Sequence, residues 1–389
     1  MSNLNFKLRL PTKGAYYIVL LSFIITLTAP FISPIFPLFI RSLVFNDAYV
    51  GYVVSITAML LLISAFIVGK ILQYVSRVKL LRVASLGYGI SFFVLAFVKT
   101  LPQFIFVEIF RAFFTSSIFI CLGLLLKDLS KTEELGKVEG WNFTIANIAW
   151  FISPLLGGFI AFNYSNKIVF MLAAIFPLLV FIITSLNPIK IKEYKSIHHN
   201  HTFNNLKNFF SNHNLRILYL ASMGIIFWWV LFYTFLPLYM NDNGLSKSQI
   251  GIVLALVTIP LILLEIPAGK LADKFGYRKF LFLGFIILSI AGLFASFSGV
   301  NLSIIFIIMG SFGAAFLEPL REAFFLKSVS DEDEIDFYPI YKTALEVGRL
   351  LGLFVFSTIL LYFRYNILLL FASFILLIFG LLMLLLREK

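Results

Sequence analysis

The chain has little charge and almost no cysteine. Asp, Glu, Lys and Arg make up 13% of its residues, against about 25% in an ordinary soluble domain. The single cysteine, Cys121, excludes a disulfide within the chain. It falls in an apolar stretch and is expected to pack there as a small apolar side chain. Histidine is confined to His198, His199, His201 and His213, all in one polar segment. No carboxylate or thiol cluster accompanies them, so a solvated loop is expected rather than a metal site. The chain also lacks a nucleophile elbow and a phosphate-binding loop. An enzyme is therefore not expected, and neither is a cofactor.

What is abundant is apolar: 60% of residues are hydrophobic and 17% aromatic, with 47 phenylalanines. Twelve stretches approach or exceed the roughly 17–25 residues that cross a bilayer as a helix. They cover residues 15–40, 50–68, 83–98, 104–126, 141–162, 168–186, 217–240, 250–268, 280–297, 302–326, 338–362 and 367–386. Barrel strands need only about 9–11 residues of alternating character. The fold class expected is thus an all-α membrane protein with the lipid bilayer as its main solvent. Lys7, Arg9 and Lys13 precede the first stretch in the manner of a secretory signal, but its apolar run exceeds the signal range of about 7–15 residues, so it is read as a helix.

The net charge of +12 would suggest nucleic acid in a soluble protein. Its placement removes that need. Of the 31 basic residues, 23 fall on the side of the membrane that carries both termini, 5 on the other (Arg41, Lys99, Lys167, Lys247 and Arg364), and Arg111, Arg321 and Arg349 lie within spans. Such an excess marks the cytoplasmic side.

The chain is also a duplication. Residues 269–279 read GKLADKFGYRK, and two hundred residues earlier 69–79 read GKILQYVSRVK. The same offset places Pro37-Leu38 on Pro237-Leu238 and Gly51 on Gly251. Six spans precede the polar segment and six follow it. The organisation expected is a six-helix bundle over 1–186, a cytoplasmic linker over 187–214 and a second bundle over 215–389. Internal repeats of this kind are common in transporters.

Gly269, Asp273, Lys274, Gly276, Arg278 and Lys279 resemble the GxxxD(R/K)xGRR loop signature of the major facilitator superfamily, with Tyr277 where a basic residue is usual. The resemblance implies a conformational latch between the halves. Gly269 would let a helix end approach a neighbour, Gly276 would permit a tight turn, and Asp273 would face the start of the fifth helix near Gly140. In the first copy only Gly69, Lys70, Arg77 and Lys79 remain. Ser153-Pro154-Leu155-Leu156-Gly157-Gly158 resembles the GPxxGG signature on the fifth helix, which is associated with antiporters. Physically, Pro154 bends the helix while Gly157 and Gly158 open a groove for close packing.

Charged groups at membrane depth are costly and normally face a cavity or a partner. Arg111, where the family's RxxxG signature would begin but with Thr115 in place of its glycine, lies one turn after Glu108. Glu318 precedes Pro319 in the tenth span, with Arg321 one turn on. Glu346 lies one turn before Arg349 in the eleventh, and Glu265 one turn ahead of Gly269 in the eighth. Substrate contact, proton coupling and structural pairing are all open to these residues; Glu318 is the first candidate for the proton, ahead of Glu346 and Glu108. Phe227, Trp228, Trp229, Phe232 and Tyr233 cluster in the seventh span, where the family's cavity is lined by helices 1, 4, 7 and 10.

The resemblance implies a monomeric twelve-helix secondary transporter in a prokaryotic plasma membrane. It would move a small-molecule substrate by alternating access, with protons as the coupling ion. Efflux of amphipathic or cationic compounds, as in the drug/proton antiporter group, is expected from the SPLLGG segment and the aromatic, acid-bearing spans. Import of a sugar, organic acid or other small anion is the alternative, for which Arg111 and Arg349 would be suited. The topology has a direct test. On a background lacking Cys121, single cysteines at Ser196 and Asn163 are exposed to a membrane-impermeant reagent on intact cells; labelling is expected at Asn163 only, and the reverse pattern inverts the assignment.

Overall fold

The computed structural model describes residues 13–130, 135–187 and 202–388, and its regular elements are all helical. Twelve helical segments among these residues are long and apolar enough to cross a membrane. In chain order they are Gly14–Ile32, Asp47–Ile71, Arg77–Leu95, Leu101–Leu129, Thr144–Asn163 and Asn166–Leu186, then His213–Asp242, Lys247–Phe275, Tyr277–Phe297, Val300–Ser328, Asp336–Tyr362 and Tyr365–Met383. Helices satisfy every backbone amide within the segment, which hydrocarbon cannot do.

Two expectations needed correction. The first stretch is not one helix; it breaks into Lys13–Thr26, Thr28–Ile32 and Phe36–Val44. Pro30, Pro34 and Pro37 lack the amide donor a continuous helix requires there. The polar linker is not all loop either. Thr202–Ser211 forms a helix, and Leu206, Phe209 and Phe210 recur on one face at helical spacing. Phe209 is fully buried, its ring edge-on to Phe337 and Tyr219. His213 sits with Nε2 2.9 Å from the Leu385 carbonyl, while His198, His199 and His201 lie outside the described residues.

Both sets of six helices contribute to the buried apolar core. Phe92, Phe104 and Phe170 are fully buried in the first, and Trp228, Phe285 and Phe325 in the second. Both described chain ends lie at one end of the bundle, here called the termini end, where Leu385 meets His213. The opposite, distal end carries the turns around Asn46 and Asn243.

The two halves are tied at the distal end. Arg41 pairs with Asp242 across them, and Tyr365 donates to Asp47 at 2.5 Å. The Tyr52 and Thr358 hydroxyls meet at 2.8 Å, and Lys247 donates to Asn166 at 2.8 Å. Glycines let backbones approach at the same level: a Cβ on Gly158 would lie 2.6 Å from the Lys247 carbonyl and 3.0 Å from the Gly251 Cα, and one on Gly251 would strike the Pro154 carbonyl. Among the described residues, the ion pairs at the termini end stay within one half, as in Arg77–Asp128 and Lys327–Asp273.

Magnitudes rank these ties. An exposed ion pair contributes about 0.2–1 kcal/mol, whereas forcing a side chain into close-packed backbone costs about 1–3 kcal/mol. Gly251→Val is therefore expected to open the distal end further than Asp242→Asn does. Spin-label distances between the distal ends of the second and eleventh spans should lengthen in that order, and unchanged distances in Gly251→Val would refute the packing argument.

Candidate functional site

The halves also meet deeper in the membrane, at a cluster drawn from four spans. In the seventh, the winding widens from α to π over Leu231–Phe235, a feature frequent at functional positions. Beside it, Trp229 and Tyr233 stack with ring centroids 5.6 Å apart. Trp150 of the fifth span reaches across the interface to Tyr233, with centroids at 4.7 Å. Asn147, one turn earlier on the same face, donates to both oxygens of Glu265 at 3.2 and 3.1 Å. From the tenth span, Glu318 accepts from Trp229 Nε1 at 2.6 Å. These contacts link two carboxylates and three large aromatic rings between the halves; the rings and the Glu265 carboxylate attract a cation, while Glu318 is also held by Arg321.

Behind this cluster runs a buried polar network. Arg321, only 6% exposed, donates to Glu318 at 2.6 Å and lies 3.3 Å from the Ser222 and Tyr341 hydroxyls. Glu322 is held by Lys342 at 2.8 Å and by the Tyr338 hydroxyl at 2.6 Å. Both oxygens of Glu318 are therefore engaged, one by an indole and one by a guanidinium.

Away from the cluster, Glu108 and Arg111 form a two-pronged pair inside the first half, with contacts of 2.5 and 2.6 Å. Glu108 is 1% exposed, and the guanidinium lies over Phe36 and Phe92. Glu346 and Arg349 pair at 3.0 Å while remaining partly exposed. Trp228 does not line the interface. It is fully buried in its own half, its ring edge occupying the space that a Cβ on Gly310 would need.

The loop signature gathers within the second half. Asp273 accepts from Lys327 at 2.6 Å and from the Tyr277 hydroxyl at 2.5 Å. With the ties between halves concentrated at the distal end, cations of its own half are the partners at hand. Gly276 adopts φ +96, open to glycine at little cost, and the Glu388 carboxylate sits where its Cβ would be. Glu388 also accepts from the Arg278 backbone amide at 2.6 Å. Lys274 lies over the Phe275 ring. A Cβ on Gly269 would meet nothing within 4 Å among the described residues, and Lys279 lies in the first turn of the helix that starts at Tyr277. In the fifth span the glycines divide their work: Gly158 faces the other half, while Gly157 faces the Phe31 backbone of its own half. Pro154 lies inside the helix with its carbonyl towards Gly251.

Sequence reasoning missed Asn147 and Trp150, and it missed Glu322. The signal available for the first two was their i, i+3 spacing just ahead of the SPLLGG segment. It marks a shared face but not what that face meets.

Comparison with known proteins matches residues 18–246 and 218–389 to the Major Facilitator Superfamily. An uncharacterized MFS-type transporter, MJ1560, of Methanocaldococcus jannaschii is 22% identical over 355 residues, covering 89% of this chain and 90% of that one. The uncharacterized MFS-type transporter YcaD of Escherichia fergusonii is 31% identical over 120 residues, 31% of either chain. Among solved structures, a POT family transporter in complex with 5-aminolevulinic acid superposes with a TM-score of 0.81 at 10% identity, over 96% of both chains. The nucleoside transporter NupG does so with a TM-score of 0.73 at 13% identity, over 97% of this chain and 100% of that one. At these identities the likeness is one of fold.

The Glu108–Arg111 pair generates a prediction about stability. Removing one member of a buried ion pair strands the other charge, at about 3–5 kcal/mol, whereas replacing both by apolar groups is often nearly neutral. Glu108→Gln should lower the thermal unfolding temperature of the purified protein sharply, and the double variant Glu108→Leu with Arg111→Met should regain most of the loss. A single variant as stable as wild type would show that the pair does not hold the first half together.

Proposed function

The chain belongs to the Major Facilitator Superfamily, and from that premise we propose that it exports amphipathic or cationic small molecules in exchange for protons. It is an integral multi-pass membrane protein that transports a small molecule, and it is not an enzyme. The direction, the substrate class and the coupling ion are the proposal. One observation carries it: Trp150, Tyr233 and Trp229 converge with the Glu265 and Glu318 carboxylates where the halves meet. Aromatic faces attract a cation by about 0.5–2 kcal/mol each, and carboxylates add charge complementarity. Import of an anion is less well supported, because Arg111 and Arg349 already have glutamate partners.

Alternating access follows from how the halves are joined. The distal ties close one end, and the positive-inside distribution supports placing that end outside. With the pairs of the termini end kept within each half, this arrangement corresponds to a carrier closed to the exterior. Asp273 is then free to exchange Lys327 for the fifth helix when the termini end closes, since both are single ion-pair or helix-end interactions of comparable size, about 0.3–1 kcal/mol.

Purified protein in liposomes with an acidic lumen is expected to accumulate tetraphenylphosphonium from outside, with protons leaving as it enters. Trp229→Leu and Tyr233→Leu should each weaken its binding several-fold. Movement of an organic acid or a nucleoside under the same gradient, with no movement of the cation, would replace this reading by import.

A further inference from the structure

Within the spans and away from their ends, the described glutamates have cations beside them with one exception. Glu108 has Arg111, Glu318 has Arg321, Glu322 has Lys342 and Glu346 has Arg349. Glu265 has only the neutral amide of Asn147, at 3.2 and 3.1 Å. That partner belongs to the other half of the molecule.

We propose that Glu265 is the exchange position of this transporter: its carboxylate is occupied in turn by a proton and by the cationic centre of the substrate, and either occupant loosens its link to Asn147. The proposal rests on the export reading above and names the residue on which the exchange turns. An ionised carboxylate at membrane depth is costly, and a hydrogen bond from one neutral amide offsets only part of that cost. Something positive must accompany it, and among the described residues no side chain supplies this.

The neighbouring groups fit the role. The fifth span presents Asn147 and Trp150, the seventh Tyr233, and the tenth Glu318 with its charge balanced by Arg321. The ninth span brings no charge to this level, its Arg278 and Lys279 lying at the termini end. A cation at Glu265 would therefore meet no fixed charge of the ninth span, one helical turn along the fifth span from Trp150, whose ring meets Tyr233.

The bond to Asn147 makes the exchange obligatory. A hydrogen bond to an ionised acceptor is roughly twice as strong as one between neutral groups. The empty, ionised state is thus the one tied most firmly across the halves, and it resists rearrangement. When the substrate arrives at protonated Glu265, the proton passes to water, the carboxylate takes the cation, and no charge is left unpaired. When the substrate leaves, a proton replaces it, and the halves can move again.

Two measurements on the full purified chain test this. The first is tetraphenylphosphonium binding, with proton release followed by a pH indicator in weakly buffered detergent solution. Wild type should release up to one proton per cation bound, and its affinity should fall about tenfold per pH unit once Glu265 is protonated. Glu265→Gln, close to isosteric, should bind at least about tenfold more weakly, without proton release. The second is the spin-label distance between Asn142 and Lys274, at the termini ends of the fifth and eighth spans, across a pH series. It should change in wild type and stay constant in Glu265→Gln, and Asn147→Ala should keep proton release while losing the distance response. If wild type binds the cation and Glu265→Gln matches it in affinity and pH dependence, the assignment to Glu265 is overturned and the export reading stands. If wild type fails to bind the cation, the export reading falls together with the cation half of this proposal. A distance response that persists in Glu265→Gln overturns the proton half.

Discussion

Hydrocarbon solvates neither a charge nor a backbone amide, and the arrangement of this protein follows from how each such group is satisfied. Helices meet the backbone's demand one segment at a time. Three glutamates meet theirs in the same local way, Glu108 with Arg111, Glu318 with Arg321 and Glu346 with Arg349 being neighbours one turn apart on a single helix, and Glu322 takes Lys342 from the next span of its own half. A helix carrying such a pair is close to neutral before it meets any other. Glu265 departs from that rule. Its demand is met only by Asn147 of the opposite half, which makes its state depend on the relation between the halves.

That relation is set by packing at one end and by polar contacts at a few depths. Lipid tails are as apolar as leucine, so apolar area alone does not drive helices together in a bilayer, and close backbone approach through small residues takes over. Gly158 and Gly251 provide such an approach where the fifth and eighth spans meet at the distal end, alongside the Arg41–Asp242 and Asp47–Tyr365 contacts. Closer to the termini end, the loop signature is satisfied inside the second half through Lys327, Tyr277 and Glu388. A molecule joined firmly at one end and loosely at the other needs modest free energy to exchange the two, and a charge change at the interface is of the right size to bias it.

The duplication has not kept the halves equivalent. The second half holds the fuller copy of the loop signature, the π-wound turn, the stacked Trp229 and Tyr233 and the Glu318–Arg321–Glu322–Lys342 network. The first half keeps one buried pair, and it supplies Asn147 and Trp150 to the shared interface. Chemistry concentrated in one bundle, with the other presenting a face to it, suits a carrier whose site is completed only when the halves approach.

Much of the fold was legible in the residues alone. The twelve spans, their helical character, the two-fold repeat and the three Glu-x-x-Arg pairs are all local properties: apolar length, backbone satisfaction within a segment, and i, i+3 adjacency need no knowledge of neighbours. The breaks in the first span were also written locally, in Pro30, Pro34 and Pro37. What the sequence could not settle was which residues separated by a hundred positions would meet. Trp228 and Trp229 are adjacent in the chain and equal in kind, yet one is buried in a half-core and the other faces the interface. Glu265 read as one acid among several until the tertiary structure left it alone without a cation and set Asn147 against it. Asp273 was read towards the fifth helix from its motif alone, and the structure sets Lys327 and Tyr277 of its own half against it. A segment's own composition decides whether it becomes a helix and where its charges pair along it, whereas the direction each face points is decided by the packing of helices distant in sequence.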